Sequence, residues 1–141
     1  MTSEQIQFWT MMATFLSAVV AALSAFFTFK TVNSWKKEAK HEAQREFKKA
    51  VYHYNEIARI LPHEALMHLR QEKEEEFLAF KKAKSDCSYA WAMTEGSIRN
   101  QSVIQSWSEL ERAHHDYMLI RQNITVVQDR AAEIIESRFL N

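Results

Sequence analysis

A run of 25 residues without a charged side chain, from Gln5 to Phe29, constrains the fold of this chain more than any other feature. Charged residues make up 26% of the whole sequence, so composition alone does not account for the run. As an α-helix, at about 1.5 Å per residue, it is long enough to cross a hydrocarbon core of about 30 Å. A lone segment in lipid must satisfy its own backbone hydrogen bonds, which requires a helix, and the run contains neither Pro nor Gly. The sequence therefore predicts one transmembrane helix.

Two other structures are compatible with an apolar run near an N-terminus. A buried core helix of a soluble protein is disfavoured because uncharged runs longer than about 18 residues are rare in soluble chains. A cleaved signal peptide is disfavoured because the start Met-Thr-Ser-Glu has no basic side chain. The run is also longer than the apolar region of about 7 to 15 residues that signal peptides contain. Both remain alternatives to the membrane helix.

The flanks of the run predict its orientation. Between residues 30 and 49 there are seven basic and three acidic side chains, whereas the N-terminal flank carries only Glu4. Lys and Arg close to a span stay on the cytoplasmic side. We therefore expect a single-pass protein of the inner (cytoplasmic) membrane, with its N-terminus outside and its C-terminal part in the cytoplasm.

Aromatic and basic side chains near the run predict where it meets the membrane–water interface. Those beside the run are Trp9, Trp35, Lys36 and Lys37. A second group follows from helix lengths, because a helix returning from Pro62 regains the level of Trp35 near residue 89. We therefore expect Tyr89 and Trp91 to lie at the same interface as Trp35.

The rest of the chain has the pattern of helices. Pro62 and Gly96 are its only Pro and Gly, and apolar residues recur at helical spacing on either side of them. The predicted helices cover about residues 35–61, 62–95 and 102–139. No helix breaker separates the first of these from the apolar run, so we expect one continuous helix from about Ser3 to Ile60.

The predicted fold is therefore all-α, with two parts. Residues 1–34 form the N-terminal segment and single transmembrane helix, which is continuous with a cytoplasmic antiparallel three-helix bundle at residues 35–141. The bundle is expected to be coiled-coil-like, because apolar positions in its first helix alternate spacings of four and three. These positions are Ala43, Phe47, Ala50, Tyr54, Ile57 and Leu61.

Small residues form a ridge along the predicted span. They recur at every fourth position, as Ala13, Ser17, Ala21 and Ala25. Small side chains let two helix backbones approach closely, which is a main source of packing energy between helices in lipid. We expect this ridge to be a self-association face and the protein to be a homo-oligomer.

The last predicted helix is longer than the first cytoplasmic one and would project beyond it. The projecting part contains apolar residues that nothing in the chain would cover, namely Ala131, Ile134, Ile135 and Phe139. An exposed apolar patch of this kind usually marks an interaction site, so these residues are candidates for partner docking. The alternative is that the helix starts further along or bends back, which would place the same residues in the bundle core.

The sequence contains no motif that predicts catalysis, a cofactor or a metal. His63 and His68 resemble a zinc-protease H-E-x-x-H motif but are five residues apart, which puts them on different faces of a helix. Two E-x-x-H pairs, ending at His41 and His114, are too far apart along the predicted bundle to share one centre. We expect His114 to be a core-facing or boundary residue and Cys87 a small buried side chain.

Two functions remain compatible with these features. The first is a membrane-anchored helical interaction or scaffold module without catalytic activity, whose partners would be the lipid bilayer, further copies of itself and an unidentified protein. The second is a small membrane-active effector whose assembled spans perturb the bilayer. The equal numbers of basic and acidic residues, 18 of each, give no charge that would attract nucleic acid. The lack of a polar stripe in the run favours the first function, because a conducting pore needs a polar lining.

Overall fold

The computed structural model describes residues 2–139, and it contains helices only within that range. Five helices are present, and the first is the long apolar N-terminal one that the sequence predicts. Their bounds are α1 Ser3–Ala58, α2 Met67–Glu72, α3 Glu74–Met93, α4 Gln101–Met118 and α5 Ile124–Glu136.

The start of α1 has reciprocal side-chain capping. The backbone N–H of Thr2 donates to Gln5 Oε1 at 3.1 Å, and the backbone N–H of Gln5 donates to Thr2 Oγ1 at 3.4 Å. This is the capping box, in which two of the unpaired donors of a first helical turn find partners. Helix α1 ends at Ala58, two residues before the predicted end, and the chain tightens into a turn ahead of Pro62.

The chain divides into two compact units, Met1–Ala39 and Lys40–Asn141. In the first unit every described residue is exposed. In the second unit the helices bury a common core, whose largest fully buried side chains include Tyr54, Tyr117, Phe47, Phe80 and Leu110. All core residues belong to the second unit.

Contacts within the second unit define the direction of its helices. Phe47 and Tyr54 of α1 contact Trp91 and Phe80 of α3, in reverse order along the chain, so these segments are antiparallel. Helix α4 is in turn antiparallel to α3, because Lys84 binds Glu111 while Phe77 stacks on Tyr117.

Helix α5 completes this arrangement by packing along α4. Arg130 and Glu133 of α5 contact Glu109 and Ser106 of α4, again in reverse order along the chain. The helix contacts therefore suggest an up-down-up-down packing of four helical segments around the core.

Two details of the predicted bundle are wrong. The segment after Pro62 is not yet helical: α2 begins at Met67, and Lys73 interrupts the helix with a ψ of 40° before α3 begins. The predicted helix 102–139 is two helices, because α4 ends at Met118 and α5 begins at Ile124. The turn between them sends α5 back along α4, so the second unit has four main helical segments rather than three.

Candidate functional site

The apolar run lies in α1 and is solvent-exposed throughout the structure. By length and composition α1 is the one helix among the described residues that could cross a membrane, and none of its most apolar window is buried. Large aromatic side chains of the run are solvent-exposed: Trp9 is 61% exposed and Phe15 is 68% exposed. Apolar surface on this scale is unfavourable in water, at about 25 cal/mol per Å², and is typical of a segment that another medium or molecule covers.

Five hydroxyl groups of this part of α1 are bonded within the helix. Each of the five donates to the backbone carbonyl four residues earlier at 2.8 to 2.9 Å. The donors are Thr10, Thr14, Ser17, Thr28 and Thr31. A hydroxyl bonded in this way presents little unsatisfied polarity to its surroundings, which suits a hydrocarbon environment.

The predicted small-residue ridge is on the surface of the same helix. Ala13, Ser17, Ala21 and Ala25 are all exposed. The Ser17 hydroxyl donates to the Ala13 carbonyl, so at that position the ridge has no unpaired hydroxyl donor. Its role in association is a prediction that the single chain does not test.

The predicted interface residues have different surroundings. In the first unit Trp9, Trp35, Lys36 and Lys37 are exposed. In the second unit Tyr89 is 70% exposed, whereas Trp91 is half-buried. The Trp91 ring lies 5.0 Å from the Phe47 ring and stacks at 5.6 Å on Trp107, so it forms part of an aromatic cluster beside the core.

The predicted docking residues of the last helix pack into the bundle. Ala131 and Ile134 are fully buried, and the half-buried Ile135 and Phe139 pack against the core. The turn after Met118 is the reason, because it brings α5 alongside the rest of the unit. The projecting patch therefore does not form, and these residues adopt the alternative arrangement, in which they belong to the core.

A partly buried pair of ionisable side chains joins α1 and α4. The Tyr54 hydroxyl and His114 Nδ1 are 2.8 Å apart, and the Phe80 ring lies 4.7 Å from the imidazole. Burial, with a smaller contribution from nearby Lys84, lowers the pKa of His114 to about 4. The ring is therefore neutral at pH 7. Burial also raises the pKa of Tyr54 well above its usual value, so the hydrogen bond joins two neutral groups. A hydrogen bond between a neutral histidine and a tyrosine hydroxyl links the two helices without burying a charge.

Cys87 is fully buried beside this pair. Burial raises the pKa of its thiol to about 12, although Lys84 acts in the opposite direction. Thiol reactivity requires the thiolate, so the side chain is chemically inert in the folded protein. It is the small buried residue that the sequence predicts.

Neither histidine motif forms a metal site. His63 and His68 are exposed and lie outside or at the edge of α2, so no helix aligns them. In the second E-x-x-H pair, Glu111 binds Lys84 at 3.1 Å while His114 binds Tyr54. Within residues 2–139 no group of three His, Cys, Asp or Glu side chains is placed to hold a metal ion.

Comparison of the chain with protein-family models, with curated proteins and with solved structures gives no match.

Proposed function

We propose that this protein is a membrane-anchored helical interaction module without catalytic activity. The observation that carries the proposal is the exposed apolar run of α1, in which the Thr10, Thr14, Ser17 and Thr28 hydroxyls are bonded within the helix. A bilayer is the environment that covers such a surface on all sides. In this proposal Gln5 to Phe29 span the membrane once, and the second unit is held at the membrane surface.

The second unit is the part that would meet other proteins. It buries its own core and keeps its buried ionisable groups neutral or paired. A helical unit with this composition suits protein binding rather than chemistry, since among residues 2–139 no nucleophile or base lies activated in a cleft.

The basic flank supports an inner-membrane location with the second unit in the cytoplasm. Seven basic side chains follow the run within twenty residues, and such side chains resist transfer across the membrane. In this orientation Trp9 would mark the outer interface, and Trp35 with Lys36 and Lys37 the inner one.

Self-association through the span is the second part of the proposal. The ridge of Ala13, Ser17, Ala21 and Ala25 would let two copies of α1 approach closely, giving a homo-oligomer. Oligomerisation would present several copies of the second unit together, which increases the effective concentration of whatever they bind.

Carbonate extraction of membranes tests the anchor. The full chain should stay in the membrane pellet, whereas Leu16→Lys with Val20→Lys should release it, because each lysine at the centre of a span costs about 2.5 to 3.5 kcal/mol. The matched control places the same change at two exposed residues of the second unit, Tyr52→Lys with Leu78→Lys, and should stay in the pellet. Release of the unchanged chain would contradict the membrane anchor.

Labelling of single cysteines tests the orientation, in a Cys87→Ala background. An impermeant thiol reagent added to intact cells should modify Ser3→Cys and leave Gln122→Cys unmodified. The reverse pattern would place the second unit outside.

Measuring membrane potential during overexpression separates the anchor from a membrane-active effector, because only an effector should collapse the potential.

A further inference from the structure

A cleft in the second unit is lined by more basic than acidic side chains. It has a volume of about 760 Å³ and lies between the first turns of α1 in this unit and the segment that follows α5. Its charged lining residues are His41, Arg45, Lys48, Glu136 and Arg138. Three permanent cations therefore face one carboxylate, and a histidine stands beside them.

The cations of the cleft are weakly neutralised. Arg45 lies 3.5 Å from Glu42, but both side chains are largely exposed. Exposed ion pairs contribute little free energy, so Glu42 neutralises Arg45 only weakly. Within residues 2–139 Arg138 has no acidic partner within ion-pair distance. Both guanidinium groups are thus available to an incoming anion.

The segment that carries Arg138 is fixed in place at three consecutive residues. Lys48 Nζ donates to the Ser137 carbonyl at 3.2 Å, and Asn100 Nδ2 donates to the Arg138 carbonyl at 3.0 Å. The Phe139 ring packs at 5.9 Å from Phe47 in the core. The Arg138 side chain therefore projects from an ordered backbone, which reduces the entropy lost on binding.

One wall of the cleft is apolar. Phe139 forms it, and the Lys48 ammonium lies 5.4 Å from the centre of its ring. Lys48 gives one of its three donors to Ser137 and keeps two for a ligand. On the floor, Gln44 is held by Ser97, to which its Nε2 donates at 3.2 Å.

We propose that this cleft binds a phosphate group, carried by the head group of an anionic phospholipid or by a small soluble phosphate ester. Arginine guanidinium groups match phosphate oxygens bidentately, and a lysine supplies a further point charge. The Phe139 wall suits the glycerol or acyl carbons next to such a phosphate. The site belongs to the second unit alone, and only the lipid source depends on the membrane anchor proposed above.

Two titrations of the detergent-solubilised full chain, in buffer without phosphate, separate the two sources. Isothermal calorimetry with glycerol 3-phosphate at constant ionic strength measures the soluble ester. Native mass spectrometry with phosphatidylglycerol, against phosphatidylcholine, measures the lipid. Binding of glycerol 3-phosphate assigns the cleft to soluble esters, and binding of phosphatidylglycerol in preference to phosphatidylcholine assigns it to lipid head groups.

Paired arginine variants locate the binding. Arg45→Gln with Arg138→Gln should weaken it about tenfold or more, because two charge-assisted contacts are lost. The control, Arg112→Gln with Arg121→Gln, makes the same change in charge at two exposed residues outside the cleft and should change affinity less than about twofold.

Three results would overturn the proposal: binding of neither ligand, equal losses in the two double variants, or full binding by the cleft variant. Circular dichroism checks that the variants remain folded. The Arg45 and Arg138 side chains are both exposed, so their replacement should leave the helicity unchanged. If the carbonate test contradicts the membrane anchor, the calorimetric result with glycerol 3-phosphate still holds. The two proposals can therefore fail separately.

Discussion

Burial keeps the His114 ring neutral, and this makes one bond of the core sensitive to acid. Protonation would make both ring nitrogens donors, so the Tyr54 hydroxyl could only accept from Nδ1, and it would place a positive charge beside Lys84, Lys81 and His115, which already act against protonation. The unfolded chain has no such restriction, so its histidine titrates near the ordinary value of 6.5.

Acid should therefore weaken the second unit through His114. The folded pKa of about 4 lies below the unfolded value, so the unfolded state binds more protons between these limits. The free energy of unfolding should fall as pH drops from about 6.5 to 4, by about 2 to 3 kcal/mol at most from this residue. Denaturant unfolding of the full chain across this range measures the effect.

The His114→Gln variant isolates the histidine from other titrating groups. Glutamine keeps an acceptor near Tyr54 but does not titrate, so its stability should vary less between pH 6.5 and 4 than that of the unchanged chain. The exposed neighbour provides the control, because His115→Gln should keep the full pH dependence. Equal pH dependence in all three proteins would show that His114 does not control the response.

At the scale of elements, the turn between α4 and α5 carries backbone strain. Ile120 has a φ of 59°, in the left-handed region that β-branched residues rarely adopt, and its side chain is 46% exposed. For an L-residue this conformation costs about 1 to 2 kcal/mol, and little burial offsets it. The strain permits the reversal that brings α5 onto α4.

Replacing Ile120 with glycine should stabilise the protein. Glycine adopts positive φ without a steric cost, so Ile120→Gly should raise the free energy of unfolding by roughly 0.5 to 1 kcal/mol after the loss of chain entropy is included. Thermal unfolding should show a midpoint a few degrees higher. The adjacent Arg121→Gly, at a position without positive φ, should lower the midpoint, and a lower midpoint for Ile120→Gly would contradict the assignment of strain.

If the proposed membrane anchor holds, the apolar run of α1 is expected to associate with that of a second copy through its small-residue ridge. Ser17→Leu with Ala21→Leu adds bulk that prevents close approach of two backbones, so a span-reporter assay should lose most of its dimer signal. The control adds the same two leucines elsewhere, as Val19→Leu with Val20→Leu, and should retain the signal. An unchanged signal in the ridge variant would exclude this face.

Helix content and the long N-terminal helix could be predicted from sequence because they depend on local properties: an uncharged run, and the near absence of Pro and Gly. The helix break at Ile120 could not be predicted, because no glycine marks it and a β-branched residue occupies the position with positive φ. In retrospect Asn123 is the signal, because its side chain accepts from the Val126 N–H and caps α5. The sequence pattern also missed Gln44, which is buried because Ser97 satisfies its amide.

At the scale of the whole molecule, the two units differ in what they need from their surroundings. All core side chains come from residues after Lys40, and the first unit contributes none. The charged cleft unites residues 41–48 with residues 136–139, which are distant in sequence, so only the fold of the second unit reveals it.

The second unit should therefore fold without the first. A chain of residues 40–141 is expected to be soluble and helical, with one cooperative thermal transition. Circular dichroism and analytical ultracentrifugation measure these properties. Ile134→Asp in this chain should abolish the transition, because it places an unpaired charge in the core, whereas Glu136→Asp on the exposed face should not. An aggregated or unfolded chain 40–141 would show that the second unit depends on the first.

The burial of Cys87 makes the protein a reporter of its own opening. Its thiol is fully buried and has a pKa of about 12, so a reagent can modify it only during the moments when the core is open. Under conditions where reclosing is faster than modification, the observed rate is the intrinsic thiol rate multiplied by the fraction of open molecules. The modification rate of the native cysteine therefore measures the fraction of open molecules without an added label.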